Sequence, residues 1–242
     1  MRPTVPVGGC SSVLLLAGQG GPPVMAINFK NITLEIASKA VQAYNSGCYG
    51  RFKNPELDRL ALDLFCGGLA TSKEGILEQV RFIGIDYGGV AGFTAARSLV
   101  SVVADDIFKV RDRYASLVEG APPILNGRIP KGTIEELYAP FIKELHGKRN
   151  WLVWATKFWH FLKPEAFPIF DSRVAKFFSI PARLPGVDKY VYFCDRFRDF
   201  ALSHRDWLLA LQEVDDGFAW CDNKLWDKVF YGIQDLDLGK AG

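Results

Sequence analysis

The sequence predicts a mostly α-helical fold with two lobes, on three observations. Apolar residues make up 49% of the 242 residues, which is enough to bury a substantial core. In most segments these residues recur at helical spacing, whereas patterns typical of β-strands are weak throughout. A proline-rich segment, residues 121–130, interrupts the helical segments and predicts a seam between two lobes near residues 120–131.

Helical segments follow one another along most of the chain. The first spans residues 33–45, and Thr33 is available as its N-cap. The second begins at Asn54-Pro55 and ends at Gly67-Gly68, because glycine commonly ends a helix. A short helix over 74–83, a loop over 84–89 and a longer helical stretch over 93–114 follow. Beyond the proline-rich segment, helices are predicted over residues 133–145, 151–162, 172–178, 187–203 and from 206 onward.

The first 24 residues differ in character from the rest of the chain. They are rich in glycine, proline and serine around a short apolar run, residues 13–17. We expect residues 1–24 to be a disordered leader or a mis-assigned start, with a signal peptide after Arg2 as the alternative. Residues 25–242 are expected to form a single helical domain. No apolar run reaches the roughly 20 residues that span a bilayer, so no membrane partner is predicted.

The five cysteines do not predict a metal site. They are widely scattered, without a CxxC pair or the Cys/His spacing of zinc sites: Cys10, Cys48, Cys66, Cys194 and Cys221. The sequence also lacks four thiolates suitably placed for an iron–sulfur cluster. We therefore expect no cofactor, and reduced thiols in a cytoplasmic protein.

Charge is unevenly distributed along the chain, although the formal net charge is only +2. Residues 143–206 hold twelve Lys and Arg against seven Asp and Glu, whereas three Lys stand against seven acids from Trp207 onward. A basic face in the middle of the chain could bind phosphates. An ordinary solvated surface explains the same asymmetry equally well.

The most informative window runs over residues 145–174. It begins with a short polar turn around Gly147, where backbone N–H groups and the cations of Lys148 and Arg149 could hold a phosphate. An apolar helix follows, then a proline-bounded loop, and then Asp171 at the start of another helix. The N-terminus of a helix favours the ionised form of a carboxyl group.

This layout resembles the helix-hairpin-helix DNA glycosylases. Their motif is a Leu-Pro-Gly-hydrophobic-Gly hairpin, a helix, a loop rich in glycine and proline, and then an aspartate. The segment 145–151 matches the hairpin, with His146 in place of its proline and without its second glycine. The segment 163–171, KPEAFPIFD, resembles the loop before the aspartate of 8-oxoguanine glycosylases, and residues 156–174 are similar to bacterial proteins with that fold.

The resemblance implies a two-lobed helix-hairpin-helix fold and a DNA glycosylase, which flips a damaged or modified base out of double-stranded DNA. Asp171 would be the catalytic carboxylate, stabilising positive charge on the sugar while water displaces the base. Trp151 takes the position at which bifunctional members carry a nucleophilic lysine, which favours a monofunctional enzyme. If the alignment shifts, Lys157 becomes the nucleophile.

The resemblance also implies the contacts with DNA. Four residues are expected to contact the DNA backbone: Gly147, Lys148, Arg149 and Arg173. Trp151 and Trp154 are expected to line the base pocket. The enzyme would act as a monomer without a cofactor, in base excision repair or in defence against phage DNA. Oxidised guanine and a bulkier modified pyrimidine both stay open as the excised base.

Plainer interpretations stay open for the same residues. Asp171 could simply cap the helix that follows it, and Lys157 could extend from an apolar helix to solvent. A non-catalytic module of the same fold could bind DNA or a protein partner. A metal-dependent nuclease would use Asp171 with Glu165 and with Lys157 or Lys176.

Overall fold

The computed structural model describes residues 32–49, 52–87, 99–142, 151–215, 221–234 and 236. Their secondary structure is mostly α-helical, which confirms the helical class, whereas the two-lobed helix-hairpin-helix arrangement stays a prediction. The predicted leader, residues 1–24, lies outside the described residues. None of the described helices is long and apolar enough to cross a membrane.

Six helices and a short β-hairpin make up the described N-terminal half. The helices are α1 (Leu34–Ser46), α2 (Asn54–Phe65), α3 (Lys73–Arg81), α4 (Leu99–Lys109), α5 (Arg111–Gly120) and α6 (Lys131–Ile142). Strands β1 (Cys48–Tyr49) and β2 (Phe52–Lys53) pair antiparallel between α1 and α2, with Cys48 opposite Lys53. A π-helical turn, Phe82–Asp86, continues directly from α3.

Five further helices make up the described C-terminal half. They are α7 (Leu152–Leu162), α8 (Ser172–Phe177), α9 (Gly186–Ser203), α10 (Leu208–Val214) and α11 (Asp222–Gly232). A single 3₁₀ turn, Arg205–Trp207, joins α9 to α10. Helices α7 and α8 fall within the window that the sequence analysis identified, and the loop between them leads to Asp171.

Local sequence sets the first helix boundaries much as predicted. Thr33 Oγ1 accepts a hydrogen bond from the backbone N–H of Ile36 at 3.3 Å and caps α1. Helix α2 begins at Asn54, and the glycine turn Gly67-Gly68 follows it. Gly68 has a φ of +75°, a left-handed conformation that other residues rarely adopt, which explains the glycine at this position.

The segment after α3 differs from the prediction. A loop was expected over residues 84–89, but the helix continues through Asp86 as the π turn, and residues 88–89 lie outside the described chain. A Cβ atom on Gly84 would lie 2.9 Å from Cε2 of Trp154, so the turn packs directly against that indole ring. The contact with Trp154 thus explains the glycine at position 84, and Tyr87 directly follows the turn.

The proline-rich segment between α5 and α6 is anchored to the core. Ala121, Ile124 and Ile129 are buried. The backbone N–H of Ile124 donates to the carbonyl oxygen of Glu165 at 2.8 Å, so the segment packs against the loop that follows α7. The division of the chain into two lobes at this segment stays a prediction.

Helix α7 lies at the centre of the core. Most of its side chains are buried, as expected for a helix with apolar residues on nearly all faces. Trp154 and Trp159 are fully buried and pack edge-to-face against Phe141 of α6. Because most side chains of α7 are packed in the core, their positions are well defined.

Helices α1 and α11 cross in close contact at a glycine. A Cβ atom on Gly232 would lie 1.9 Å from the carbonyl oxygen of Ala40, a distance that no side chain can tolerate. The crossing brings Tyr44 of α1 against two lysines of α11. Lys224 Nζ lies 4.9 Å and Lys228 Nζ 5.6 Å from the centre of the Tyr44 ring.

We expect Gly232→Ala to destabilise the protein by more than about 2 kcal/mol, because the added methyl group overlaps the backbone of α1. Gly132→Ala is the matched control, since a Cβ atom at Gly132 meets nothing within 4 Å and alanine favours the helix. Urea unfolding followed by circular dichroism measures both variants. Equal unfolding midpoints for Gly232→Ala and the wild type would show that α1 and α11 can separate without cost.

Candidate functional site

Side-chain hydrogen bonds fix the chain that leads to Asp171 onto helix α7. Thr156 Oγ1 accepts from the backbone N–H of Phe170 and also lies 3.2 Å from the carbonyl oxygen of that residue. One turn further along α7, His160 Nδ1 bonds to the carbonyl oxygen of Phe167 at 2.8 Å. The position of Asp171 relative to α7 is therefore set by two polar side chains of that helix.

Asp171 is the N-cap of helix α8. Its Oδ1 atom accepts hydrogen bonds from the backbone N–H groups of Arg173 at 2.8 Å and Val174 at 2.9 Å, which confirms the predicted cap. Oδ2 accepts no hydrogen bond within the described part of the chain. Burial raises the pKa of this carboxyl group, and the charge of Lys157 and the two N–H groups oppose the rise. One oxygen thus orients the carboxylate and leaves the other available to a ligand.

Lys157 follows Thr156 on α7 and extends toward the same region. Its Nζ atom donates to the carbonyl oxygen of Tyr87 at 3.2 Å and lies 5.2 Å from the centre of the Tyr87 ring. Burial lowers the pKa of Lys157, although the negative charges of Asp171 and Asp227 oppose the shift. A lysine in such surroundings loses its proton more readily than a lysine in water.

Lys157 and Asp171 line one cleft. The other lining residues are Tyr44, Asn54, Leu57, Tyr87, Ile169, Asp227 and Tyr231. The empty volume of the cleft is about 400 Å³, which includes solvent at its open mouth. Only a small part of this volume is enclosed by protein. Its described lining offers tyrosine rings, two carboxylates and an amine to a small ligand, which would have to displace side chains to enter fully.

The tryptophans predicted to line a base pocket do not line this cleft. Trp154 is fully buried, and its Nε1 atom donates to the carbonyl oxygen of Val80 at 3.2 Å. Trp151 is buried beside it, with the ring centres 6.0 Å apart. Both indole rings belong to the core around α7, so the aromatic surface of the cleft comes from tyrosines instead.

Arg173, one of the four predicted DNA-backbone contacts, touches the cleft through Tyr231. Its guanidinium carbon lies 3.9 Å from the centre of the Tyr231 ring, and its NH1 atom donates to the Tyr231 carbonyl oxygen at 3.2 Å. Arg173 therefore holds a lining residue in place. The other three predicted contacts, Gly147, Lys148 and Arg149, lie outside the described residues.

The residues that the nuclease alternative adds are separate from the cleft. Neither Glu165 nor Lys176 is among its lining residues. Within the described ranges, no group of three or more His, Cys, Asp and Glu side chains is arranged to hold a metal ion. These residues therefore offer the nuclease alternative no set of metal ligands.

A buried ion-pair network that the sequence did not predict lies behind the cleft. Lys224 of α11 is fully buried, with Nζ 3.0 Å from Oδ1 of Asp58 and 2.9 Å from Oδ2 of Asp227. Nζ also donates to the hydroxyl groups of Tyr44 and Tyr87, at 2.9 and 3.0 Å, and both hydroxyl groups donate to Asp58. Burial lowers the pKa of Lys224, but Asp227 and Asp58 outweigh it and the net shift is upward. Lys224 therefore stays charged.

The two tyrosines of this network stay protonated. Burial and the negative charge of Asp58 raise the pKa of Tyr44 and of Tyr87 well above the usual value for a phenol. Each hydroxyl group can therefore donate its proton to Asp58 while it accepts a hydrogen bond from Lys224. The network has a fixed direction of proton donation, from the lysine through the phenols to the carboxylate.

A second buried pair lies one turn further along α11. Lys228 Nζ is 2.6 Å from Oδ1 of Asp215, which also accepts from Nδ2 of Asn45 at 2.8 Å. Burial lowers the pKa of Lys228, and the hydrogen bond and charge of Asp215 oppose the shift. Both networks also reach α1, the first through Tyr44 and the second through Asn45.

One sequence signal could have revealed this network. Lys224, Asp227 and Lys228 stand at positions i, i+3 and i+4 in a segment whose neighbours are Leu, Trp, Val and Phe. Charged residues at helical spacing within such an apolar run indicate buried pairs, because isolated buried charges are very costly. The sequence-based prediction used these three residues only in the charge balance from Trp207 onward.

His160 makes the anchoring of the loop before Asp171 sensitive to pH. Burial lowers the pKa of His160 to about 3 from its usual 6.5, because the ring is fully enclosed near the charge of Lys224. The folded protein therefore resists a proton that the unfolded chain accepts. The contribution of His160 to stability is fully present above pH 6.5 and is lost as the pH falls from 6.5 toward 3, by about 2 kcal/mol at pH 5.

We expect His160→Gln to remove this part of the acid sensitivity, since glutamine has no proton to gain. The measurement is the free energy of unfolding in urea at about pH 5 and about pH 7.5. His204→Gln is the control, because it removes a histidine without touching the loop. A wild-type loss of stability that persists in full in His160→Gln would contradict the argument.

Comparison with known proteins adds no relative to these observations. The chain matches no protein-family model, no curated protein and no solved structure. The relationship to the helix-hairpin-helix glycosylases therefore stays a prediction from residues 145–174, and the chemistry of the cleft is the basis for a functional assignment.

Proposed function

We propose that this chain is a DNA glycosylase, which extrudes a damaged or modified base from double-stranded DNA and cleaves its N-glycosidic bond. One observation carries the proposal. Lys157 and Asp171, the two reactive residues of the window that resembles these enzymes, line the same cleft although 13 residues separate them in the chain. Oxidised guanine and a modified pyrimidine are both candidate bases.

Asp171 is oriented as the reaction requires of a carboxylate. Cleavage of the bond develops positive charge on the sugar, and a negative group held beside that charge lowers the barrier. The two backbone N–H groups at Oδ1 keep the carboxylate oriented before the substrate arrives, and Oδ2 is unbonded within the described residues. The helix cap and the chemical role therefore use different oxygens of one side chain.

Tyrosines are the aromatic surface that supports base binding. Tyr44, Tyr87 and Tyr231 line the cleft together with Leu57 and Ile169. Stacking on aromatic and apolar side chains repays part of the few kcal/mol that base extrusion costs. These residues would form the base-stacking surface that the sequence predicted at Trp151 and Trp154.

Contacts with the DNA backbone remain as the sequence analysis proposed. Arg173 is near enough to Tyr231 to bring a cation to the side of the cleft. Gly147, Lys148 and Arg149 would add amide and cationic contacts from the turn that the sequence predicts before residue 151. A monomer would provide both the cleft and these contacts.

A second candidate activity has support from Lys157. Burial is the main cause of its lowered pKa, and the lowered pKa increases the fraction of Lys157 present as the neutral, nucleophilic amine. The amine nitrogen would attack C1′ of the sugar, and the departing base would take the electrons of the N-glycosidic bond and a proton. Loss of a proton from nitrogen and opening of the sugar ring would then give a Schiff base. This enzyme would be bifunctional.

A strand-scission assay tests both activities. The protein is incubated in EDTA with duplex oligonucleotides that carry a panel of damaged and modified bases, and half of each reaction is treated with hot alkali. We expect scission only after alkali, and a loss of at least about 100-fold in Asp171→Asn. Asparagine is also a good N-cap, so this variant keeps the helix start.

Three results would change the assignment. Scission without alkali, with a covalent adduct trapped by borohydride in the wild type and not in Lys157→Gln, would establish the bifunctional enzyme. Scission that appears only in a parallel reaction with Mg²⁺ in place of EDTA would favour a nuclease. Binding of DNA without release of any base would leave a non-catalytic module, in which Asp171 only caps α8.

A further inference from the structure

Asp227 is the second carboxylate of the cleft, and the proposed function does not use it. It lies on α11 and lines the cleft together with Lys157 and Asp171. We propose that Asp227 is the general base that accepts a proton from the water molecule attacking the sugar. This inference rests on the proposed glycosylase activity and adds a catalytic residue to it.

The hydrogen bonds of the two carboxylates around Lys224 differ. Asp58 is fully buried, and both of its oxygens are engaged, because Tyr44 donates to Oδ2 while Tyr87 and Lys224 contact Oδ1. Asp227 accepts one hydrogen bond, from Lys224 to Oδ2, and none reaches Oδ1 within the described part of the chain. Asp227 therefore has a free acceptor oxygen, whereas Asp58 has none to offer a ligand.

Lys224 fixes Asp227 at the edge of the cleft. The two residues are i and i+3 on α11, and the Asp227 side chain is only 8% exposed. The charge of Asp227 also acts on Lys157 and on Asp171, the amine and the other carboxyl group of the cleft. Burial lowers the pKa of Lys157 and raises that of Asp171, and Asp227 opposes the first shift and adds to the second. Lys157, Asp171 and Asp227 therefore influence one another electrostatically within the cleft.

The two carboxylates divide the hydrolysis between them. As the bond between C1′ and the base breaks, its electron pair leaves with the base, and Asp171 stabilises the positive sugar. The water oxygen bonds to C1′ while Asp227 takes one of its protons. The base anion takes up a proton from solvent, and Asp227 later returns its own, so the net reaction consumes one water. Paired carboxylates divide charge stabilisation and proton transfer in the same way in other glycosidic cleavages.

Azide separates the proposed roles of Asp227 and Asp171. An azide ion carries no proton, so it can attack the sugar without a general base and leaves an azido sugar in the DNA. We expect Asp227→Asn to lower the single-turnover rate of base release at least about 100-fold, with duplex binding nearly unchanged. Sodium azide should restore release and give the azido product by mass spectrometry. Asp171→Asn should stay slow in azide, because the charge on the sugar is still unstabilised.

Two further variants control for stability. Asp215→Asn removes a carboxylate from the other buried lysine of α11, outside the cleft, and should release base at close to the wild-type rate. Asp227→Glu keeps a carboxylate beside Lys224 but moves it by one methylene. It should fold and lose at least about tenfold in rate, which tests the proposal if Asp227→Asn does not fold.

The outcomes distinguish this inference from the proposed function. A wild type that releases no base overturns both. An active wild type, with Asp227→Asn equally active, or slow and not restored by azide, overturns only the role of Asp227. An Asp227→Glu variant with the wild-type rate does the same. Borohydride trapping of the wild type would also overturn it, because an amine rather than water would then attack the sugar.

Discussion

The cleft depends on one buried cation, the ammonium group of Lys224. Its partners come from helices α1, α2 and α11 and from the end of the π turn. A buried charge costs several kcal/mol in lost hydration, and only a complete set of partners offsets that cost. The network therefore stabilises one arrangement of these elements strongly and tolerates partial arrangements poorly. Tyr44, Tyr87 and Asp227 line the cleft as a direct result, since the same contacts that satisfy Lys224 hold them there.

Sequence reasoning worked where structure depends on neighbouring residues. The cap at Thr33, the apolar helix α7 and the cap at Asp171 each follow from a few adjacent side chains, and all are present. Sequence reasoning failed where contacts between residues far apart in the chain determine the local structure. The helix continues as a π turn through Gly84, which packs against an indole ring from α7, and no local pattern contains that contact.

The same distinction applies to the site. Asp171 and Lys157 lie in one window, and their residue types drew attention to them. Trp154 has the right chemistry for a base pocket, but the same chemistry suits a core, and only its burial distinguishes the two. Asp227 lies far along the chain in a helix that provides no known motif. Its pairing with Lys224 is local to α11, but its place in the cleft follows from the tertiary contacts of Lys224 with Asp58 and Tyr44.

The hydrogen bond between Lys224 and Tyr44 joins residues that are 180 positions apart. At roughly 5–20 residues per second, a ribosome makes helix α1 about 10–40 seconds before helix α11. During that interval Asp58 lacks the ammonium group of Lys224, so burial of this carboxylate is costly. A chain whose translation stops before α11 can form local helices, but it cannot close the cleft. Completion of the cleft therefore waits for the synthesis of α11, which carries Lys224, Asp227 and Tyr231.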